Sequence, residues 1–262
     1  MLVIPPTPAE RFPLGIVFAR SPDARLGYNV SVENPFTGLR AALFDLDGTL
    51  IETHIDFGLM KRQMLHLAES AGLDPAHLRD LDILAIVEKS RDELEHRSGP
   101  ETAARFRSKA FALLEEIEVS HCANPVEIPG AAELLQTLES RDIPVAIVTR
   151  NCRTVSEQLV NRAGLTHRAL LTRDDVPLTK PDPAHLRAAL VALGLNPTPK
   201  TRHPAPSDAM VGDHWMDVQG GQAAGMRTVG ILRGRQPSYF DPAPPDLHVD
   251  ELADLLPLAK TA

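Results

Sequence analysis

Four apolar residues, Ala41-Ala42-Leu43-Phe44, run directly into Asp45-Leu46-Asp47-Gly48-Thr49. This junction constrains the fold more than any other stretch. A short apolar run closed by a turn signal reads as a strand buried on both faces, the form taken in parallel sheets. The carboxylates fall where that strand ends, and in open α/β sheets the ligand crevice lies at the carboxyl ends of the strands. Asp45 and Asp47 are alternate residues, so both side chains can lean into the crevice. Gly48 lets the chain turn sharply. Two carboxylates this close repel one another, and a cation or a shared proton is needed to relieve them. Taken alone, the stretch reads equally well as an Asp-Gly turn after a strand.

The remaining sequence supplies the context. After Leu50 the apolar residues recur with helical spacing: Leu59, Met60, Met64, Leu65, Leu67 and Ala68 predict a helix over 57–71, capped by Asp56 and stopped by Gly72. A second helix is expected from Asp74-Pro75 to Leu94, with a break at Ser98-Gly99-Pro100, and a third from Glu101 to Val119. From Pro129 onward short apolar strands alternate with helices. Strands are expected at 143–148, 169–171, 209–211, 228–232 and 247–249, and helices at 131–140, 155–163, 182–193, 216–224 and 250–258. This alternation predicts an α/β fold with a doubly wound, mostly parallel sheet and an inserted all-helical domain. The expected division is an N-terminal extension at 1–38, an α/β core at 39–55 and 123–262, and a helical insert at 56–122. Within the extension, Gly15 to Ala19 reads as a short strand, and 196–207 reads as a Pro-rich loop.

Composition narrows the function classes. A chain of 262 residues has ample core. Its net charge of -8 argues against non-specific nucleic-acid binding. No apolar run reaches the ~18 residues of a membrane span. Cys122 and Cys152 make neither a disulfide framework nor a zinc pattern. No basic-then-apolar order of a secretory signal opens the chain, so a cytoplasmic location is expected.

Four polar features fall at comparable places, three of them directly after expected strands: Asp45-x-Asp47, Thr149, Lys180-Pro181, and Asp213 with Asp217. Parallel strands would bring them to one sheet edge. Several carboxylates, an ammonium and a hydroxyl suit a phosphate together with a hard divalent cation. Arg150 and Asn151 follow Thr149 and are candidate substrate contacts. His214 is not needed in a hard-oxygen site.

The ordered set Asp45-Leu46-Asp47-Gly48-Thr49, strand-terminal Thr149, Lys180-Pro181 and Gly212-Asp213-x-x-x-Asp217 resembles the haloacid dehalogenase superfamily, specifically its phosphatase branch. The helical insert resembles the cap of the phosphoglycolate-phosphatase-like group, which closes over the active site. The resemblance spans about residues 40 to 256. It implies that Asp45 is the nucleophile and forms an aspartyl-phosphate, and that Asp47 is the general acid and base. Thr149 would bind phosphoryl oxygens, with Arg150 and Asn151 beside it, and Lys180 would hold nucleophile and phosphate. Asp45, the backbone carbonyl of Asp47, and Asp213 would hold Mg²⁺, with Asp217 supporting or joining them. The expected substrate is a small phosphate ester, with no nucleic-acid or membrane partner. The dehalogenase branch resembles this chain but lacks a second acid at the position of Asp47, because expelled halide needs no proton. Phosphomutases of the same build keep it and stay open as an alternative, as does a non-catalytic binding protein on this fold.

Overall fold

The computed structural model describes residues 16–17, 34–122, 124–196 and 207–262. In chain order the strands are β1 (Ile16–Val17), β2 (Ala41–Phe44), β3 (Ile51–Glu52), β4 (Val126–Glu127), β5 (Val145–Val148), β6 (Ala169–Leu171), β7 (Asp208–Gly212), β8 (Arg227–Ile231) and β9 (Leu247–Val249). The helices are α1 (Phe57–Ser70), α2 (Ile83–Ser98), α3 (Pro100–His121), α4 (Ala131–Ser140), α5 (Arg153–Ala163), α6 (Pro183–Ala192), α7 (Trp215–Ala224) and α8 (Leu256–Ala259).

The sheet has the order β1-β9-β8-β7-β2-β5-β6. Among the described residues, six strands of this sheet run parallel and β1, at the outer edge, is antiparallel. β2 lies inside the sheet between β7 and β5, and every residue of β2, β5 and β7 is buried, as expected of strands covered on both faces. Ala41, Leu43, Ala146, Val148 and Met210 pack on one face against Leu186, Ala189 and Leu190 of α6. Their neighbours Ala42 and Phe44 point to the opposite face by the two-residue period. Register decides where the site forms. Phe44 lies beside both Ile147 and Val211, so Asp45, one residue on, and Thr149 and Asp213, two residues on, leave the sheet at one edge.

The described residues form two compact units. The first comprises Val126–Arg150, Val160–Ala262 and the chain up to Glu52. The second comprises Thr53–Pro125 and Asn151–Leu159. Within the second, α1, α2 and α3 pack on one another, burying Met60, Met64, Ile86, Val87, Phe106 and Leu114. The start of α5 belongs with these helices rather than with the α/β alternation that the sequence suggests. There the backbone N–H of Cys152 donates to the buried Glu118 carboxylate of α3 at 3.2 Å. Cys122 and Cys152 are both buried free thiols.

Three sequence expectations need correction. The helix expected from 74 to 94 is divided: a 3₁₀ turn spans Pro75–Leu78, and α2 starts only at Ile83. Asp82 makes the second start, accepting the N–H groups of Leu84 and Ala85, so the apolar spacing across 78–87 belongs to two elements. The final helix is likewise broken into a 3₁₀ turn, Leu252–Leu255, and the short α8, which has Pro257 in its first turn. The two-residue strands β3 and β4 pair antiparallel, Ile51 with Glu127 and Glu52 with Val126. They are too short for any periodicity to reveal. The expected strand around 15–19 appears as β1, whereas the rest of the extension before Asn34 and most of the 196–207 loop lie outside the described residues.

Asp56 caps α1 as expected, accepting the Leu59 N–H at 2.7 Å. Asp56→Ala is expected to destabilise the protein by about 1 kcal/mol in urea denaturation, the usual value of such a cap.

Candidate functional site

Asp45, Thr149 and Asp213 are held at the ends of β2, β5 and β7, whereas Lys180 comes from the loop before α6 and Asp217 from α7. The Asp45 N–H still donates to Val211 O at 2.9 Å, continuing the sheet by one residue. The chain then folds tightly, with Leu46 O accepting from the backbone N–H groups of Leu50 and Ile51. Gly48 has φ +81° in this loop, and a Cβ there would lie 2.6 Å from Asp213 Oδ2, so only glycine fits against that carboxylate. Gly212 serves the same end: a Cβ would meet the Asp217 carboxyl group at 2.3 to 2.4 Å. Thr149 is anchored by its N–H to Leu171 O at 2.8 Å, and its Oγ1 lies 3.5 Å from Asp47 Oδ2.

Lys180 is the centre of the cluster. Its Nζ contacts Asp45 Oδ1, Asp217 Oδ1 and the carbonyl of Val148, each at 2.7 Å. Asp217 is fully engaged, because Oδ2 accepts the His214 N–H at 3.1 Å. Asp213 Oδ1 receives Thr49 Oγ1 at 3.4 Å, and Oδ2 pairs with Arg235 at 2.9 Å. Asp45, Asp213 and Asp217 each offer an oxygen within 4.8 Å of the others, a hard-donor set able to hold a divalent cation. The Asp47 side chain stands outside this group. The role implied for Asp47 as a ligand concerns its backbone carbonyl.

Burial raises the proton affinity of all three clustered carboxylates. Burial, then the nearby Asp217, push Asp45 up to about 6 despite Lys180. Burial also raises Asp213, with Asp45 adding to it and Arg235 opposing, and it raises Asp217 against the pull of Lys180. For Lys180, burial acts to depress the ammonium, but the Asp217 and Asp45 carboxylates more than reverse it. Three buried carboxylates thus share two buried or half-buried cations.

The Haloacid dehalogenase-like hydrolase family model matches residues 42–231, most of the chain. The chain belongs to this family. It is 30% identical over 233 residues to pyrophosphatase PpaX of Bacillus cereus (strain AH820), covering 84% of this chain and 96% of that protein. It is 29% identical over 198 residues to N-acetylmuramic acid 6-phosphate phosphatase of Pseudomonas putida (strain KT2440), covering 75% of this chain and 84% of the relative. The fold is shared with the crystal structure of a HAD phosphatase from Thermococcus onnurineus, with a TM-score of 0.53 at 24% identity, covering 83% of this chain and 96% of that one.

In this haloacid dehalogenase-like core, Asp45, Asp47, Thr149, Lys180, Asp213 and Asp217 come together at one sheet edge. Arg150 is adjacent, its Nη1 2.8 Å from Met216 Sδ, whereas Asn151 is buried and belongs to the helical unit. His214 is an N-cap, its Nδ1 accepting the Met216 N–H, and is not one of the clustered donors. Sequence reasoning missed two residues. Arg235 reaches Asp213 from the loop after β8, with no motif to mark it. His185 lies on α6, and its Nδ1 accepts the Lys180 backbone N–H at 3.3 Å.

Burial, then the Lys180 charge, pull His185 down to about 3. The folded state therefore keeps it neutral where the unfolded chain binds a proton. Its stabilising effect is complete above the unfolded value of 6.5 and declines as pH falls from there toward 3. The melting temperature of His185→Gln is accordingly expected to fall less between about pH 7 and pH 4 than that of the unsubstituted protein, as read by calorimetry.

Proposed function

We propose that the protein is a Mg²⁺-dependent phosphomonoester hydrolase that acts on a small phosphorylated metabolite, phosphoglycolate-like or a sugar phosphate, through an aspartyl-phosphate. The observation that carries this reading is the second carboxylate, Asp47, within 3.5 Å of the Thr149 hydroxyl at the edge that holds Asp45. A leaving alkoxide needs a proton and a halide does not, so an acid at this place fits ester cleavage.

The residues divide the work as follows. Asp45 attacks phosphorus; the bond from phosphorus to its carboxylate oxygen forms as the ester P–O bond breaks. Asp47 gives its proton to the departing oxygen, then takes one from the water that attacks the aspartyl-phosphate, returning Asp45 as a carboxylate. Lys180 fixes the nucleophile's orientation through Asp45 Oδ1 and balances charge that builds on the phosphoryl group. Thr149 donates a hydrogen bond to a phosphoryl oxygen. Asp45, Asp213 and the Asp47 carbonyl would hold Mg²⁺, with Asp217 directing Lys180. When bound, the divalent cation supplies the charge that lets a dianion approach a carboxylate. We assign substrate selection to the helical unit, whose chain leaves the core a few residues past Asp47. Similarity to a phosphatase named for a sugar phosphate favours that ester class.

Asp45→Asn is expected to lower turnover of p-nitrophenyl phosphate by about three orders of magnitude or more, with the fold retained by circular dichroism. Substantial remaining turnover would remove Asp45 as nucleophile. EDTA should silence the enzyme and Mg²⁺ restore it. Asp47→Asn should behave differently from Asp45→Asn. An aryl leaving group needs little protonation, so p-nitrophenol should appear in one rapid burst and then stall, with phosphate retained on the protein. A steady rate without a burst would count against the two roles given to Asp47.

A further inference from the structure

We infer that Arg235 sets the charge of this site, weakening its grip on the divalent cation so that the loaded site binds phosphate more tightly. The inference rests on the metal-dependent phosphatase reading above. Arg235 is immobilised. Its Nη2 donates to Asp213 Oδ2 at 2.9 Å, to the Asp213 carbonyl at 2.7 Å and to Ile231 O at 3.2 Å, and its Nε donates to Leu232 O at 2.9 Å. The guanidinium lies over the Tyr239 ring at 4.2 Å from its centroid, and Tyr239 meets Phe240 edge-on. A side chain tied at this many points stays beside Asp213 whether or not a cation is present. The neighbouring Arg233 is engaged separately by Glu52.

Charge balance gives the consequence. Asp45, Asp213 and Asp217 face Lys180 and Arg235, which leaves one net negative charge among these five groups; Asp47, which enters the proposed reaction carrying its proton, adds none. A divalent cation converts that to one net positive charge, suited to an incoming phosphate dianion. Without Arg235 the empty cluster would carry two negative charges and the loaded one none. The cation would then bind more tightly and the anion less tightly. Arg235 touches neither ligand in this account; it is a positioning residue that acts through Asp213 and through its field.

Calorimetric titration of the metal-free protein with MgCl₂, then of the Mg²⁺-loaded protein with inorganic phosphate, tests this. Arg235→Gln keeps a hydrogen-bond donor and removes the charge. It should bind Mg²⁺ about tenfold more tightly and phosphate about tenfold more weakly, the scale of one charge at a few ångströms in a partly buried site. Arg235→Lys keeps the charge and should stay within about threefold of the unsubstituted protein for both ligands. If Arg235→Gln does not fold, Arg235→Met, which keeps apolar contact with Tyr239, is read in the same way. Unchanged or weaker Mg²⁺ binding in the neutral variants would overturn the inference and leave Arg235 as a prop for Asp213. Absence of Mg²⁺ binding by the unsubstituted protein would instead overturn the metal-site reading, and this one with it.

Discussion

The Lys180 ammonium, shared between Asp45, Asp217 and the Val148 carbonyl, is the interaction on which the rest of the site depends. It joins two strand ends and a helix: Asp45 follows β2, Val148 ends β5, and Asp217 lies on α7 after β7. A buried ammonium is tolerable only with such partners, and the buried carboxylates are tolerable only with the ammonium. Removing either side would leave an uncompensated charge in the interior. The parallel register is therefore more than scaffolding, since it sets three acceptors around one donor. His185 adds a constraint by binding the Lys180 backbone, so the lysine is held at both ends.

Much of this was legible in the sequence, for physical reasons. Strands covered on both faces must be continuously apolar, so β2, β5 and β7 stand out, and their polar successors are the site residues. The glycines could be read as turn formers, but their second purpose could not. Gly48 and Gly212 make room for Asp213 and Asp217, carboxylates that are distant or on the next element. Arg235 was invisible because Asp213, the partner that ties it to the site, is distant in sequence and brought near only by the fold. The split of the 74–94 region was hidden because Leu78, Leu81, Leu84 and Val87 keep a helical spacing across a real break at Asp82. Strands of two residues, β3 and β4, carry no period.

The polar inventory is also balanced in a way that composition hides. The chain as a whole is acidic, but the site's acidity is local, with three carboxylates drawn into one buried edge against two fixed cations. Burial raises the proton affinity of those carboxylates, and a divalent cation beside them would oppose that. The same arrangement serves both halves of the proposed reaction, since the acid that serves departure becomes the base that serves water.

The pairing of β3 with β4 has a consequence for how this architecture can vary. Glu52 and Val126 are hydrogen-bonded neighbours, so the core meets the intervening segment as a loop whose ends are already joined. The entropy of closing such a loop grows only with the logarithm of its length. Lengthening or trimming the segment between them would therefore add little entropic cost, provided the contact of α3 with the start of α5 is kept. The length of that segment is thus nearly uncoupled from the strand-end chemistry, which the sheet register holds independently.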